Sequence, residues 1–291
     1  MFKYFSEIML LTKSDYIEEL ECWLHWYLNI LCFDHVVIFD NESPINIQSV
    51  ISKFPKDKIE YRFIPGWPNQ YNLYTEYLKE SKAQWVIPLD DDEYLYIGKN
   101  YNHNIRDLIN SLSIQHNKNK YYFLWVNLFS PEYLKSKSGL YIETHTAYSY
   151  KLCRKMRGSW PEDNSWGKCL INNSHDYIYS TSYMGGHIPQ CTNDDNTTIL
   201  ACNGTEINSC CINNISEINE DCFIAHYQYK SEFDWKLKCS RQSVYSQNVS
   251  ISSKKHIYNN LYSHKDPLSS CFLIKNLWNN YRSNLGGFEY E

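Results

Sequence analysis

The chain has 291 residues, 43% of them hydrophobic and 21% charged, enough for a substantial α/β core and too apolar for wholesale disorder. A net charge of −5 argues against a predominantly basic face for nucleic acid. No run approaches the roughly 18 apolar residues needed to span a bilayer, so the reading is a cytoplasmic chain with no transmembrane segment.

The N-terminal stretch lacks a signal-peptide core, because Ser6-Glu7 and the charged residues from Lys13 to Glu21 interrupt it. The eleven cysteines are an odd set and reduced thiols are expected. In chain order, residues 8–12 read as a short buried strand. A helix over about 16–31 follows, with Ile17, Leu20, Leu24, Tyr27, Leu28 and Leu31 at helical spacing and Ser14 or Asp15 as cap. The β-rich run 35–39 ends in the turn Asp40-Asn41-Glu42-Ser43-Pro44. A short helix to about Phe54, a strand over 59–64, a helix over 71–81 and a strand over 85–89 complete a βαβα rhythm. Nearly continuous apolar strands in that rhythm predict a parallel sheet covered on both faces. Pro88 is tolerable there only near the end of its strand.

Beyond it, residues 121–153 are aromatic and strand-like. Residues 192–221 are rich in Asn, Asp, Thr and Cys and read as an insertion or long loop. Cys202, Cys210, Cys211 and Cys222 lack the C-x2-C spacing of a zinc site. Strand character returns over 222–229, and Ser231 with Asp234 forms a reciprocal cap for a helix. The expected organisation is one domain over 1–250 carrying the 192–221 insertion, then a partly helical extension over 251–291.

The strongest chemical signal is Asp90-Asp91-Asp92-Glu93 directly after a buried strand. Ligands of open α/β sheets bind outside the carboxyl ends of the strands, and four adjacent acids need a compensating cation. In an extended turn Asp90 and Asp92 point to one side and Asp91 to the other, with Glu93 supporting. Hard carboxylate oxygens suit Mg²⁺ or Mn²⁺. Asp40 ends another strand of the same sheet edge and is read either as a plain Asx turn or as a nucleotide contact. On the 222–229 strand His226, Gln228 and Lys230 share a face fit for an anion or a metal. Between these lie the basic residues of 151–168, among them Lys168, as phosphate contacts or a solvated face. Glu162 or Asp163 is read as a general base, and His187 as a ligand or acceptor contact.

These features, in this order, resemble the glycosyltransferase family 2-like and family 92-like (DUF23-type) proteins. The resemblance rests on Glu21 and Trp23 in the first helix, then Phe39-Asp40-Asn41-Glu42-Ser43, Gln70 and Asp90-Asp91-Asp92-Glu93-Tyr94. It continues with Gly167-Lys168-Cys169-Leu170, His187-Ile188-Pro189, and His226, Tyr227, Lys230, Ser231, Phe233, Lys238 and Arg241. It covers about residues 6–245. Tyr27 and Cys32 stand where the family has His and Gly, and the 192–221 insertion has no family counterpart. The resemblance implies a GT-A fold, a Rossmann-like and mostly parallel sheet flanked by helices. It also implies a metal-dependent transferase moving a hexose or pentose from a UDP- or GDP-sugar to a glycan or glycoprotein hydroxyl. By the same analogy Asp40, Asn41, Gln70, Asp90, Lys168 and Lys230 hold the donor, Asp90, Asp92 and His226 the Mn²⁺ or Mg²⁺, and Asp163 or Glu162 acts as base. Competing readings are a catalytically inactive GT-A-like binding protein and a metal-dependent nucleotidyltransferase. The Asn-, Ile-, Lys- and Tyr-rich composition fits an AT-rich source such as a large DNA virus, which would place the protein in host cytoplasm.

Overall fold

A computed structural model of the chain describes residues 2–66, 69–132, 134–148, 166–180, 187–207, 219–240 and 269–284. Glu162, Asp163 and Arg241 lie outside the described residues, as does the side chain of Lys238. No helix among the described residues is long and apolar enough to cross a membrane. The fold is mixed α/β with a large, mostly parallel central sheet flanked by helices.

The chain falls into two compact units, where the sequence reading draws one domain over 1–250 and an extension. The first holds the described residues up to Leu124, those from Trp166 to Ile207, and 219–224. The second holds the described residues from Trp125 to Tyr148, from Ala225 to Ser240 and from Ser269 to Asn284.

In the first unit β1 (Tyr4–Thr12), β2 (His35–Asp40), β3 (Ile59–Phe63) and β4 (Ala83–Leu89) lie parallel in the order β4-β1-β2-β3. The central residues of β1, β2 and β4, including Ile8, Met9, Val36, Val37, Val86 and Ile87, are fully buried, as apolar strands covered on both faces must be. Pairing Leu10 with Leu89 and Thr12 with Asp40 brings the carboxyl ends of β1, β2 and β4 to one edge. Pro88 sits one residue from the end of β4, facing Met9.

Helix α1 (Ile17–His25) is shorter than its periodicity predicts. Residues Trp26–Ile30 continue as a π-helical turn, and neither Ser14 nor Asp15 caps α1, whose cap position is Tyr16. The widened turn presents Trp26 and Tyr27 to the backbone beyond β4. The remaining helices of this unit are α2 (Ile47–Ile51), α3 (Gln70–Glu80) and α4 (Ile105–His116). Asn69, unremarked in the sequence, caps α3 by accepting from Tyr71 N and Asn72 N at 3.1 Å each.

After β4 come β5 (Glu93–Ile97) and the first half of β6 (Lys120–Phe129). β8 (Gly167–Asn172) lies between β6 and β4, antiparallel to both. Its reversed course carries Gly167 and Lys168 toward the edge where β4 ends. β9 (Tyr177–Ile178) and β10 (Gln190–Cys191) form an antiparallel pair. Within 192–221 the described residues are not a bare loop. β11 (Thr198–Leu200) adds to β6 in parallel and β12 (Glu206–Ile207) closes the sheet behind it. The strand Thr198-Ile199-Leu200 is buried against the sheet, and Asn and Asp side chains such as Asn196 and Asp195 tie down its approach.

In the second unit β6 ends, and α5 (Tyr141–Thr144) and β7 (Ala147–Tyr148) follow. β13 (Cys222–Tyr229) begins in the first unit and ends in the second, with the bounds its sequence predicts. Ser231 and Asp234 cap α6 (Glu232–Ser240) reciprocally: Ser231 N donates to Asp234 Oδ2 at 3.0 Å and Asp234 N to Ser231 Oγ at 3.2 Å. The C-terminal helix α7 (Leu273–Asn284) buries Ile274 and Trp278 and fixes Glu143 of α5 through Trp278 Nε1 and Arg282.

Candidate functional site

The acidic turn is built as a closed loop. Glu93 N donates to Asp90 O at 3.1 Å, and Asp90 N donates to the Glu93 carboxylate at the same distance. Three aromatic side chains of α1 and its π-helical extension hold the turn from behind. Trp23 Nε1 donates to the carbonyls of Glu93 at 3.0 Å and Asp90 at 3.2 Å. Tyr27 donates to Glu93 O and accepts from Leu95 N, while Trp26 donates to Leu95 O. Backbone groups of an irregular turn that would otherwise be orphaned are thereby satisfied.

The four acids take different positions. Asp91 accepts a 2.5 Å hydrogen bond from Thr12 Oγ1 at the end of β1. Asp92 is buried, Asp90 half-buried and Glu93 fully buried. Burial holds the Glu93 carboxyl well above the usual carboxylate range; Lys168 opposes that shift, and the charges of Asp90 and Asp92 add to it. Lys168, reaching in from β8, places its ammonium 3.1 Å from Asp90 Oδ2 and 3.5 Å from Glu93 Oε1, with 6% of its side chain exposed. Gly167 beside it is required by space. A Cβ there would lie 1.8 Å from Phe123 O of β6. His187 Nδ1 donates to Gly167 O at 2.7 Å and its ring meets Trp166 edge-on, so His187 braces the start of β8.

Gln70 and Tyr74 of α3 form a neighbouring wall, Gln70 Nε2 donating to Tyr74 Oη at 2.8 Å. Burial raises the Tyr74 pKa, and the charges of Asp90 and Lys168 act on it, the first raising and the second lowering. Tyr179 packs edge-on against Tyr74 at 5.6 Å and is itself buried. Sequence reasoning missed Tyr74 and Tyr179. Tyr74 lies one turn beyond Gln70, which is the only signal that pointed to it.

Asp40 closes an Asx turn, accepting from Ser43 N at 2.9 Å, and its second oxygen accepts from Tyr61 Oη at 2.8 Å. Burial, then the Asp40 carboxylate, pushes the Tyr61 phenol up to about 12. Asn41 spends both amide hydrogens on Ile64 O and Gly66 O, each at 2.9 Å, and Glu42 holds a left-handed φ of 59°. Ser43 Oγ accepts from Ser14 N, joining this turn to the end of β1.

Asp40, Asn41, Gln70, Asp90, Asp92 and Lys168 all belong to the first unit, and His226 and Lys230 to the second. There His226 is buried with its ring 4.4 Å from that of Trp125, and the Lys230 ammonium lies 4.9 Å from the Tyr141 ring centroid. Among the described residues no group of three or more His, Cys, Asp or Glu side chains could hold a metal ion. A Mg²⁺-type ion, however, uses one or two carboxylates and completes its shell with substrate phosphate and water. Asp90 and Asp92 fit that requirement in chemistry and in burial.

No family model matches the chain, and no curated protein matches it. Among solved structures it is similar to S. aureus TarS residues 1–349 in complex with UDP-GlcNAc, at 11% identity, over 89% of this chain and 73% of that one, with a TM-score of 0.36. It is also similar to Mycobacterium tuberculosis glucosyl-3-phosphoglycerate synthase with Mn²⁺, UDP and glucosyl-3-phosphoglycerate, at 9% identity, over 59% and 58% of the chains, with a TM-score of 0.32. A third is Anaerococcus prevotii 4-diphosphocytidyl-2C-methyl-D-erythritol synthase, at 10% identity, over 59% and 71%, with a TM-score of 0.31. At these values none of the three assigns a function.

Proposed function

We propose that this protein is a glycosyltransferase that moves a sugar from a nucleoside diphosphate sugar to a hydroxyl acceptor. The observation that carries the reading is the acidic turn at the carboxyl end of β4, clamped by Trp23 and Tyr27 and faced by the Lys168 ammonium. Asp90 and Asp92 present carboxylates at the sheet edge where α/β proteins bind nucleotides. When bound to them, Mn²⁺ or Mg²⁺ supplies charge neutralisation for a departing diphosphate. Lys168 adds a positive charge on the same side, and the rigid backbone of the turn keeps the carboxylates oriented without reorganisation. The 40–43 turn, braced by Ser14, Tyr61 and the 64–66 backbone, forms a preorganised shelf at the ends of β1 and β2 for the nucleoside. The sequence pattern adds Lys230 for the donor, His226 for the metal or the diphosphate, and Glu162 or Asp163 as the base. The reading stands without them.

The test is incubation of the purified protein with Mn²⁺ and a panel of UDP- and GDP-sugars, with released nucleotide as the readout. Nucleotide release that disappears in Asp92→Ala supports the proposal. Turnover of a nucleoside triphosphate without use of any sugar nucleotide would point to nucleotidyl transfer. Sugar-nucleotide binding by calorimetry without turnover would identify an inactive binding protein.

A further inference from the structure

Four consecutive acids place up to four negative charges within one turn, and the structure shows how two of them are relieved. The Asp91 carboxylate is held by the Thr12 hydroxyl. The Glu93 carboxyl is fully enclosed, with one oxygen accepting from Asp90 N. Among the described residues the Lys168 ammonium meets the turn, 3.1 Å from Asp90 and 3.5 Å from Glu93. Its backbone has no slack: β8 is paired to β6 with Phe123 facing Lys168, and Gly167 is pressed against the Phe123 carbonyl. A change of partner by Lys168 must therefore come from the side chain alone.

We propose that Lys168 is the built-in counter-cation of the acidic turn and competes with a divalent cation for Asp90, yielding when a nucleoside diphosphate offers its ammonium a new anion. This rests on the donor-site reading above and deepens it. A buried ammonium stripped of its partner is costly, so a divalent cation alone has to displace Lys168 from Asp90 at a penalty. A diphosphate arriving with the cation removes that penalty by accepting the displaced lysine. Cation and nucleotide then bind cooperatively, each raising the affinity of the other by the same factor. Lys168 is in this sense a positioning residue that makes the site take cation and donor together.

The experiment is titration of the full chain with Mn²⁺, reading free Mn²⁺ by electron paramagnetic resonance, without nucleotide and with UDP or GDP. Wild type is expected to bind Mn²⁺ weakly alone and more tightly with one of the nucleotides. Lys168→Met should bind Mn²⁺ alone about tenfold tighter, since it no longer has to break a charge-assisted hydrogen bond, and should lose most of the nucleotide enhancement. Lys168→Arg keeps a cation at this position and should retain the nucleotide enhancement that Lys168→Met loses. A merely structural lysine predicts the opposite sign, weaker Mn²⁺ binding in Lys168→Met. Circular dichroism checks folding, and Lys168→Gln takes the place of the Met variant if that one fails to fold. Unchanged or weaker Mn²⁺ binding in a folded neutral variant overturns the inference while leaving the donor site standing. Wild type that binds no Mn²⁺ with or without either nucleotide overturns the metal-dependent donor site, and this inference with it.

Discussion

The Tyr27 hydroxyl donates to the Glu93 carbonyl at 2.9 Å, and the same oxygen accepts from Leu95 N at 2.7 Å. One buried side chain on the π-helical turn thus satisfies two backbone groups of β5, directly beneath the acidic turn. Tyr27→Phe keeps the ring and its packing against Trp23 and Phe33 but takes the acceptor from Leu95 N, while Glu93 O keeps its bond from Trp23 Nε1. One orphaned backbone N–H costs roughly 1–3 kcal/mol, and the expected loss of stability is of that size. Urea denaturation of the two proteins measures it, and equal midpoints would show that the hydroxyl contributes nothing.

Gly167→Ala is expected to be more damaging than its single methyl suggests. The new Cβ would lie 1.8 Å from Phe123 O, and both clashing atoms belong to paired strands. Relief requires separating β8 from β6, which also shifts Lys168. A loss on the order of 3–5 kcal/mol is expected, read as a lowered thermal midpoint or insoluble expression. An alanine variant as stable as wild type would show that the strands can part at little cost.

The βαβα frame of the first third was legible in the sequence because apolar runs such as Val36-Val37-Ile38 and Val86-Ile87 carry the signal of doubly covered parallel strands. The acidic turn and the Asp40 turn were legible for the same reason, each following such a run directly. What was not legible came from tertiary contacts. The periodicity over 16–31 fits one α-helix, and only the bonds from Trp26 and Tyr27 to the 93–95 backbone account for the π-helical turn. Lys168 meets Asp90 because β8 runs antiparallel to β4, a pairing no local pattern encodes. The edge strand Thr198–Leu200 was hidden because two apolar residues after a run of Asn, Asp and Thr look like a break in a loop.

Lys120 gives a stability signature with pH. It is 1% exposed on β6, its ammonium bonded to Asn196 Oδ1 at 2.9 Å, and burial lowers its pKa from the ordinary 10.5. With the folded pKa depressed, the folded protein binds fewer protons than the unfolded chain between that pKa and 10.5. The contribution is therefore fully present above about 10.5 and is lost as pH falls through the folded pKa, by at most ~1.4 kcal/mol per pH unit. Lys120→Met abolishes this slope. The stability of wild type minus that of Lys120→Met, from urea midpoints across the alkaline range, should rise with pH toward 10.5 and be flat below the folded pKa. A flat difference throughout would mean that Lys120 titrates like a solvated lysine.

The proposed chemistry separates two adjacent aspartates that composition cannot tell apart. Asp91 is tied to Thr12 of β1 and so anchors the turn to the sheet, whereas Asp92 is buried in the turn and is assigned to the cation. Asp91→Asn can still accept from the Thr12 hydroxyl through its amide oxygen, so it should keep the turn in place and lower turnover only a few-fold. Asp92→Asn removes one anionic cation ligand and should lower nucleotide release by about 10²-fold or more, the scale seen when one preorganised stabilising group is removed at a reaction centre. It should also raise the Mn²⁺ concentration needed for half-maximal rate. The reverse ranking, with Asp91→Asn inactive and Asp92→Asn active at ordinary Mn²⁺, would exchange their roles. In that case the Thr12 contact would be a resting arrangement that Asp91 leaves on binding the donor.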